Sequence, residues 1–243
     1  MTYFKFHLIF NLPLLLLGAV LAGPGFWTGP VLTSAGLVLL LVMIFTTPWD
    51  NYAVAKGIWG FPRERFSLKI WHLPIEEYAF FIIESVQVMW LTYWLLGFFP
   101  EMQSWASIPM SHPVAWGSTV ILLLAWILVG LWGRKRFHAL SRGHYAWHLL
   151  FWFVPVIVLQ WAVAGETIFP RWPVIALVTA LVGTYLSVAD YIAIDKGIWH
   201  FDQKQITGLK IGKKMPWEEA AFFYLTAFLV AQSFVILLPE ALR

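Results

Sequence analysis

The chain has 243 residues, 60% of them hydrophobic and only 12% charged, with a formal net charge of +3. A water-soluble domain holds roughly 25% charged residues, so most of this chain is not built to meet water. It contains no cysteine, which excludes disulfides, thiolate nucleophiles and cysteine metal sites, and its length fits a single domain.

Crossing a bilayer takes about 20 apolar residues in a helix. The first run, 3–22, continues into a multi-span pattern and lacks the layout of a cleavable signal. The second, 30–48, stops just before Asp50. The third, 74–99, opens with Pro74, Glu76 and Glu77 and carries Glu84 deep inside. A fourth run, 113–132, has no charge after its start. The fifth and sixth are 145–164 and 172–190, the latter ending on Asp190, and the seventh, 216–238, opens with Pro216, Glu218 and Glu219. Pro13 and Pro155 fall inside spans, where neighbouring helices can satisfy the freed backbone groups. The expected class is an all-α integral membrane protein of about seven transmembrane helices.

Of the 16 Lys and Arg residues, 14 lie in the N-terminus and in loops 49–73, 133–144 and 190–215, which an odd number of spans puts on one face. The opposite face keeps Arg171 and Arg243. The positive-inside rule then predicts a cytoplasmic N-terminus in the cell membrane. Basic residues confined to short loops describe a membrane topology, and no nucleic-acid partner is expected.

The chain also repeats itself. Residues 50–59 (DNYAVAKGIW) match 190–199 (DYIAIDKGIW) at an offset of 140. Residues 74–81 (PIEEYAFF) match 216–223 (PWEEAAFF) at 142, and His7–Phe10 matches His148–Phe151 at 141. The 1–243 membrane domain therefore divides into repeat one (1–110), a linker helix segment (111–134) and repeat two (135–243). With an odd helix between them, the two three-helix repeats run parallel and place equivalent residues at the same depth.

Seven acids stand out as candidate catalytic groups: Glu76, Glu77, Glu218, Glu219, Glu84, Asp50 and Asp190. Each also has a structural reading. Proline followed by acids in a first turn is ordinary helix-start chemistry, favoured by the helix dipole. Yet each Glu pair abuts an apolar span, where acids are costly and commonly functional, and burial there keeps a carboxyl's proton available near neutral pH. Glu77, Phe80, Phe81 and Glu84 share one helical stripe, and the counterpart of Glu84 in the second half is Thr226. Glu84 can equally serve as a neutral acid bonded to another helix. Asp50 and Asp190 read either as interfacial partners of Lys56 and Lys196 or as braces for the glutamates. His7, His72 and His148 lack metal-ligand spacing. Trp27, Trp105 and Trp172 fit an interfacial belt, whereas Trp59 and Trp199 recur beside Gly57 and Gly197.

The ordered set Pro48-Trp49-Asp50-Asn51-Tyr52, Gly57-Ile58-Trp59 and Pro74-Ile75-Glu76-Glu77, with its echo at Asp190, Gly197-Ile198-Trp199 and Pro216-Trp217-Glu218-Glu219, resembles the lycopene cyclase domain family. The second half looks like the partner subunit of that family's heterodimeric members. The resemblance covers nearly the whole chain and implies Pro-x-Glu-Glu acids at Glu76, Glu77, Glu218 and Glu219. It also implies lycopene or a related linear carotenoid as the partner, dissolved in the lipid bilayer, and proton-initiated, redox-neutral ring closure of β, ε or C50 type. No G-x-G-x-x-G occurs, so neither flavin nor nicotinamide is expected, nor any other cofactor or metal. A retinal photoreceptor needs a mid-span lysine in the last helix, which is absent. A prenyltransferase needs two Asp-rich metal motifs, and Asp190 with Asp195 supplies at most one. A carotenoid-binding or transport protein without catalysis remains the alternative.

Overall fold

The computed structural model describes residues 1–99, 112–137 and 141–242; Trp105, Arg243 and the boundary between residues 110 and 111 lie outside them. Five helical stretches are long and apolar enough to cross a membrane: Tyr3–Leu21, Gly29–Ala55, Ile75–Leu96, His144–Asp195 and Trp217–Leu237. The first consists of α1 (Tyr3–Phe6), a π-turn (His7–Asn11) and α2 (Leu12–Leu21). After the short α3 (Gly23–Phe26) come α4 (Gly29–Ala55), α5 (Ile75–Leu96) and α6 (His112–Arg136). The fourth stretch holds α7 (His144–Ile168) and α8 (Trp172–Asp195), broken at Ala164 and by the turn Phe169–Arg171, and the last is α9 (Trp217–Leu237). The described apolar part of α6, Thr119–Gly133, is shorter than a full span.

The polarity of the molecule runs inside out. Thr92, Glu218 and Gln232 are fully buried, while Val20 (77% exposed), Ile121 (67%) and Leu40 (55%) face outward. That is the distribution expected where hydrocarbon is the surrounding solvent and polar groups must find partners internally. Helices α5 and α9 form the centre. They pack on each other, α5 also on α2, α4 and α8, and α9 also on α4, α7 and α8; α6 packs on α7.

Two predicted boundaries need correction. The second and sixth spans do not stop at 48 and 190, because α4 and α8 continue to Ala55 and Asp195. Asp50 and Asp190 are each only 1% exposed. A charge ends a hydropathy window, but these two face the core, so the helix and its packing carry on beyond them. They are not loop partners of the lysines: among the described residues the ion pairs sit on exposed Asp195, with Lys196 and Lys214.

Three small antiparallel pairings order the loops. Strand β1 (Trp59–Gly60) pairs with β4 (His200–Phe201). Strand β2 (Lys69–Ile70) pairs with β3 (Leu73–Pro74), and β5 (Lys210–Ile211) with β6 (Met215–Pro216). Lys69 opposes Pro74 as Lys210 opposes Pro216. Each proline is thus held extended at the mouth of α5 or α9, which sets the azimuth of the glutamates that follow.

Candidate active site

Proline fixes its own φ and tolerates the first position of a helix, so Pro74 and Pro216 deliver the glutamates into first turns. The first of each pair turns back to the loop. Glu76 Oε1 accepts a hydrogen bond from the Ser67 amide at 2.8 Å, and Glu218 Oε1 accepts one from the Thr207 amide at 2.7 Å. One residue on, about 100° round the helix, the second glutamate turns inward. Glu77 Oε2 accepts from the Tyr3 hydroxyl at 2.8 Å, and Glu219 Oε2 from the Tyr145 hydroxyl at 2.6 Å.

The two aspartates arrive from α4 and α8. Beyond each, the helix ends on a glycine in the left-handed region, Gly57 (φ 68°) and Gly197 (φ 63°). The amides of Ile58 and Ile198 then bond back to the carbonyls of Ala53 and Ala193, at 3.0 Å in both cases. Such a left-handed C-terminal turn reverses the chain and folds the next tryptophan under the aspartate nine residues earlier. Trp199 Nε1 donates to Asp190 Oδ1 at 2.8 Å, and the Trp59 side chain serves Asp50 in the same way. The β1–β4 pair, with Trp59 opposite Phe201, ties these two turns together.

Asp50, Glu77, Asp190 and Glu219 converge on one cavity of about 480 Å³, counting its open mouth. Eleven of the sixteen residues around it are aromatic, one is Leu186, and none is basic. Each acid therefore meets a neutral donor, a tyrosine hydroxyl or an indole N–H, rather than a cation. Buried carboxyls without a counter-charge are far less costly as neutral acids than as anions. Trp49 lies flat against Phe222 (centroids 5.0 Å apart) and His148 (5.2 Å), which fixes the floor. The arrangement can hold protons on carboxyl groups, exclude water, and present aromatic faces to a positive charge.

Not every sequence candidate joins this cavity. Glu84 lines a separate one of about 390 Å³ beside Phe81 and Phe153, and accepts the Thr226 hydroxyl at 2.5 Å. The two positions matched by the internal repeat thus meet face to face. Glu76 and Glu218 brace the loops. His7 Nε2 lies 2.9 Å from the Glu76 carbonyl and His148 Nε2 3.2 Å from that of Trp49, His72 is exposed, and none of the three lines the acid cavity.

Tyr3 and Tyr145 were missed as candidates. Their separation of 142 is that of Pro74 from Pro216, whereas matching His7 to His148 gives 141. The first half holds one extra residue between Tyr3 and His7, just ahead of the π-turn His7–Asn11, in which Leu12 bonds back to His7.

The lycopene beta-cyclase of Halobacterium salinarum is 32% identical over 230 residues, covering 92% of this chain and 90% of that protein. The bifunctional lycopene cyclase/phytoene synthase of Phycomyces blakesleeanus is 30% identical over 236 residues, 93% of this chain but 37% of the fungal protein. That of Sporisorium reilianum is 29% identical over 96% of this chain and 34% of its own length. No protein-family model matches the chain, and no solved structure does.

Proposed function

The chain belongs to the lycopene cyclase family and is a carotenoid cyclase, and from that premise we propose that its acid cavity closes the ends of lycopene into β-type rings. A neutral carboxyl, Glu77 or Glu219, gives its proton to the terminal C=C. The resulting tertiary cation is attacked by the neighbouring C=C, which closes a six-membered ring and moves the positive charge onto it. Asp50 or Asp190, made a carboxylate by passing its own proton to the spent glutamate, then removes a proton from the ring carbon that carries the polyene, leaving the β-type double bond. One proton enters and one leaves, so no electron acceptor is required. Each aromatic face near the cation contributes about 0.5–2 kcal/mol, and exclusion of water protects the cation from hydration.

The observation that carries this reading is the duplicated tyrosine–glutamate contact across an aromatic cavity that holds no basic side chain. Expression in a lycopene-accumulating host is expected to convert the pigment to cyclic products on a chromatogram. Lycopene bound but recovered unchanged would overturn catalysis in favour of a binding role.

The membrane arrangement we propose has seven spans, in two parallel three-helix repeats, 1–110 and 135–243, joined by α6. The stretch His144–Asp195 has 52 residues, which at 1.5 Å per residue is about 78 Å of helix against a hydrocarbon core of ~30 Å; two crossings fit it and one does not. The matched contacts of Glu76 with Glu218, Glu77 with Glu219 and Asp190 with Asp50 support the repeat. The charge split supports a cytoplasmic N-terminus in the cell membrane. Cysteines placed at Ser67 and Thr207 are then expected to resist a membrane-impermeant reagent in intact cells, and labelling there would reverse the orientation.

A further inference from the structure

A second cavity, of about 710 Å³ counting its open side, lies between α2, α5 and α8, walled by leucines and by Trp90, Trp94 and Val182, with Gln87 and Tyr185 at one end. We propose that it is the binding groove for the linear polyene of the substrate, whose end group reaches from there into the acid cavity; this rests on the cyclase reading above.

The two cavities share three walls. The first helical stretch gives Phe6 to the acid cavity and Leu14 to the groove, α5 gives Glu77 and then Gln87, and α8 gives the adjacent residues Leu186 and Tyr185. From Glu77 to Trp94 α5 rises about 26 Å, most of the ~30 Å hydrocarbon thickness, so an extended chain fits along the helices. The boundary between the cavities is the π-turn. Its Phe10 carbonyl accepts the Tyr185 hydroxyl at 2.7 Å, and its Asn11 carbonyl accepts Gln87 Nε2 at 3.4 Å. Two groove residues, one from α8 and one from α5, thus hold this turn in place. The groove also opens sideways: Leu17 is 52% exposed and Leu181 50%. A hydrocarbon dissolved in the bilayer can therefore enter without crossing water.

The internal repeat supplies a control. Val182, Tyr185 and Gln87 correspond to Val42, Phe45 and Leu229, which line the narrower cavity of about 390 Å³ on the opposite side. There Phe45 stands edge-on to Phe153 at 5.6 Å and occupies the position that Tyr185 holds in the wide groove. Among the described residues the two equivalent acid sets thus adjoin one wide groove and one narrower cavity.

Val182→Trp fills the groove and Leu17→Trp, on the exposed lip, narrows its mouth with little burden on folding. Both are expected to raise KM for lycopene by about tenfold or more, the scale on which an apolar pocket discriminates size, and to lower the lycopene retained on the purified protein, read by its visible absorbance. A shortened acyclic polyene that keeps one lycopene-type end group should still be cyclised, and Val42→Trp should leave both substrates unaffected. Unchanged lycopene KM and retention in Val182→Trp and Leu17→Trp would assign the cavity to lipid chains and overturn the proposal, as would equal loss of both substrates. A wild-type protein that retains lycopene through the groove but forms no ring would refute the cyclase reading and leave the groove standing.

Discussion

Glu77→Gln is expected to lower ring formation by ~10²–10⁴, the usual contribution of a general acid, while the protein still folds and retains lycopene. Glutamine keeps the volume and can still accept the Tyr3 hydroxyl, so what it removes is the transferable proton. Glu77 is the stronger of the two inward glutamates because it is half-buried near the loop side, where a spent carboxylate can regain a proton. It also stands on α5, which walls both the acid cavity and the wide apolar groove. Glu219→Gln should cost less turnover, and the double variant should form no ring. Glu76→Gln and Glu218→Gln are the controls. Their amide oxygens still accept from the Ser67 and Thr207 backbones, and the new NH₂ replaces an oxygen that is buried without a hydrogen-bond partner among the described residues, which costs about 1–3 kcal/mol of stability with turnover near wild type. Chromatography of the pigments, normalised to protein that retains lycopene, measures all of these. Near wild-type turnover in Glu77→Gln, Glu219→Gln and their double variant would move the donor to Glu84 or to an aspartate.

Much of this site was legible in the sequence, for a physical reason. A hydrocarbon environment penalises charge so strongly that the few acids next to apolar runs stand out, and the repeat names them twice. The same logic misplaced the helix ends at Asp50 and Asp190, since a hydropathy window reads a charge as the start of water and cannot see that it points inward. The stripe of Glu77, Phe80, Phe81 and Glu84 runs through the second glutamate of its pair, and the geometry turns Glu77 and, by the repeat, Glu219 inward. The same stripe groups Glu84 with Glu77, whereas two turns along α5 bring Glu84 to Thr226 in another cavity. The loop pairings at Trp59 and Phe201 were not legible, because two-residue strands carry no periodicity. Nor was the groove: its width depends on Tyr185 and Gln87 standing where the other half has Phe45 and Leu229, a difference of packing that no motif records.

Asp190→Asn is expected to change what the ring closure yields as well as how fast it proceeds. After closure, the positive charge sits on a ring carbon with several neighbouring C–H bonds, and the bond that breaks is the one a base can reach. Loss from the carbon bearing the polyene gives the β-type ring, and loss from the ring methylene on the other side gives the ε-type. Asp190 comes from α8, the groove-lining helix, with Oδ1 bonded to Trp199 and Oδ2 buried without a hydrogen-bond partner among the described residues. That second oxygen is therefore available as the proton acceptor. Asparagine retains the Trp199 bond through its amide oxygen but replaces the free oxygen with a non-basic NH₂. β-Ring formation should fall by ~10²–10⁴, and the residual product should shift toward ε-type or exocyclic isomers as the cation loses a proton to whatever lies nearest. Asp50→Asn, on the side of the narrow cavity, should show a smaller effect of the same kind. Burying an unsatisfied amide costs about 1–3 kcal/mol, so thermal unfolding of the variant separates lost stability from lost chemistry. A folded Asp190→Asn protein that still makes β-type rings at the wild-type rate and purity would remove the aspartate from the reaction, leaving the return of the proton to the tyrosine-bonded glutamate that gave it.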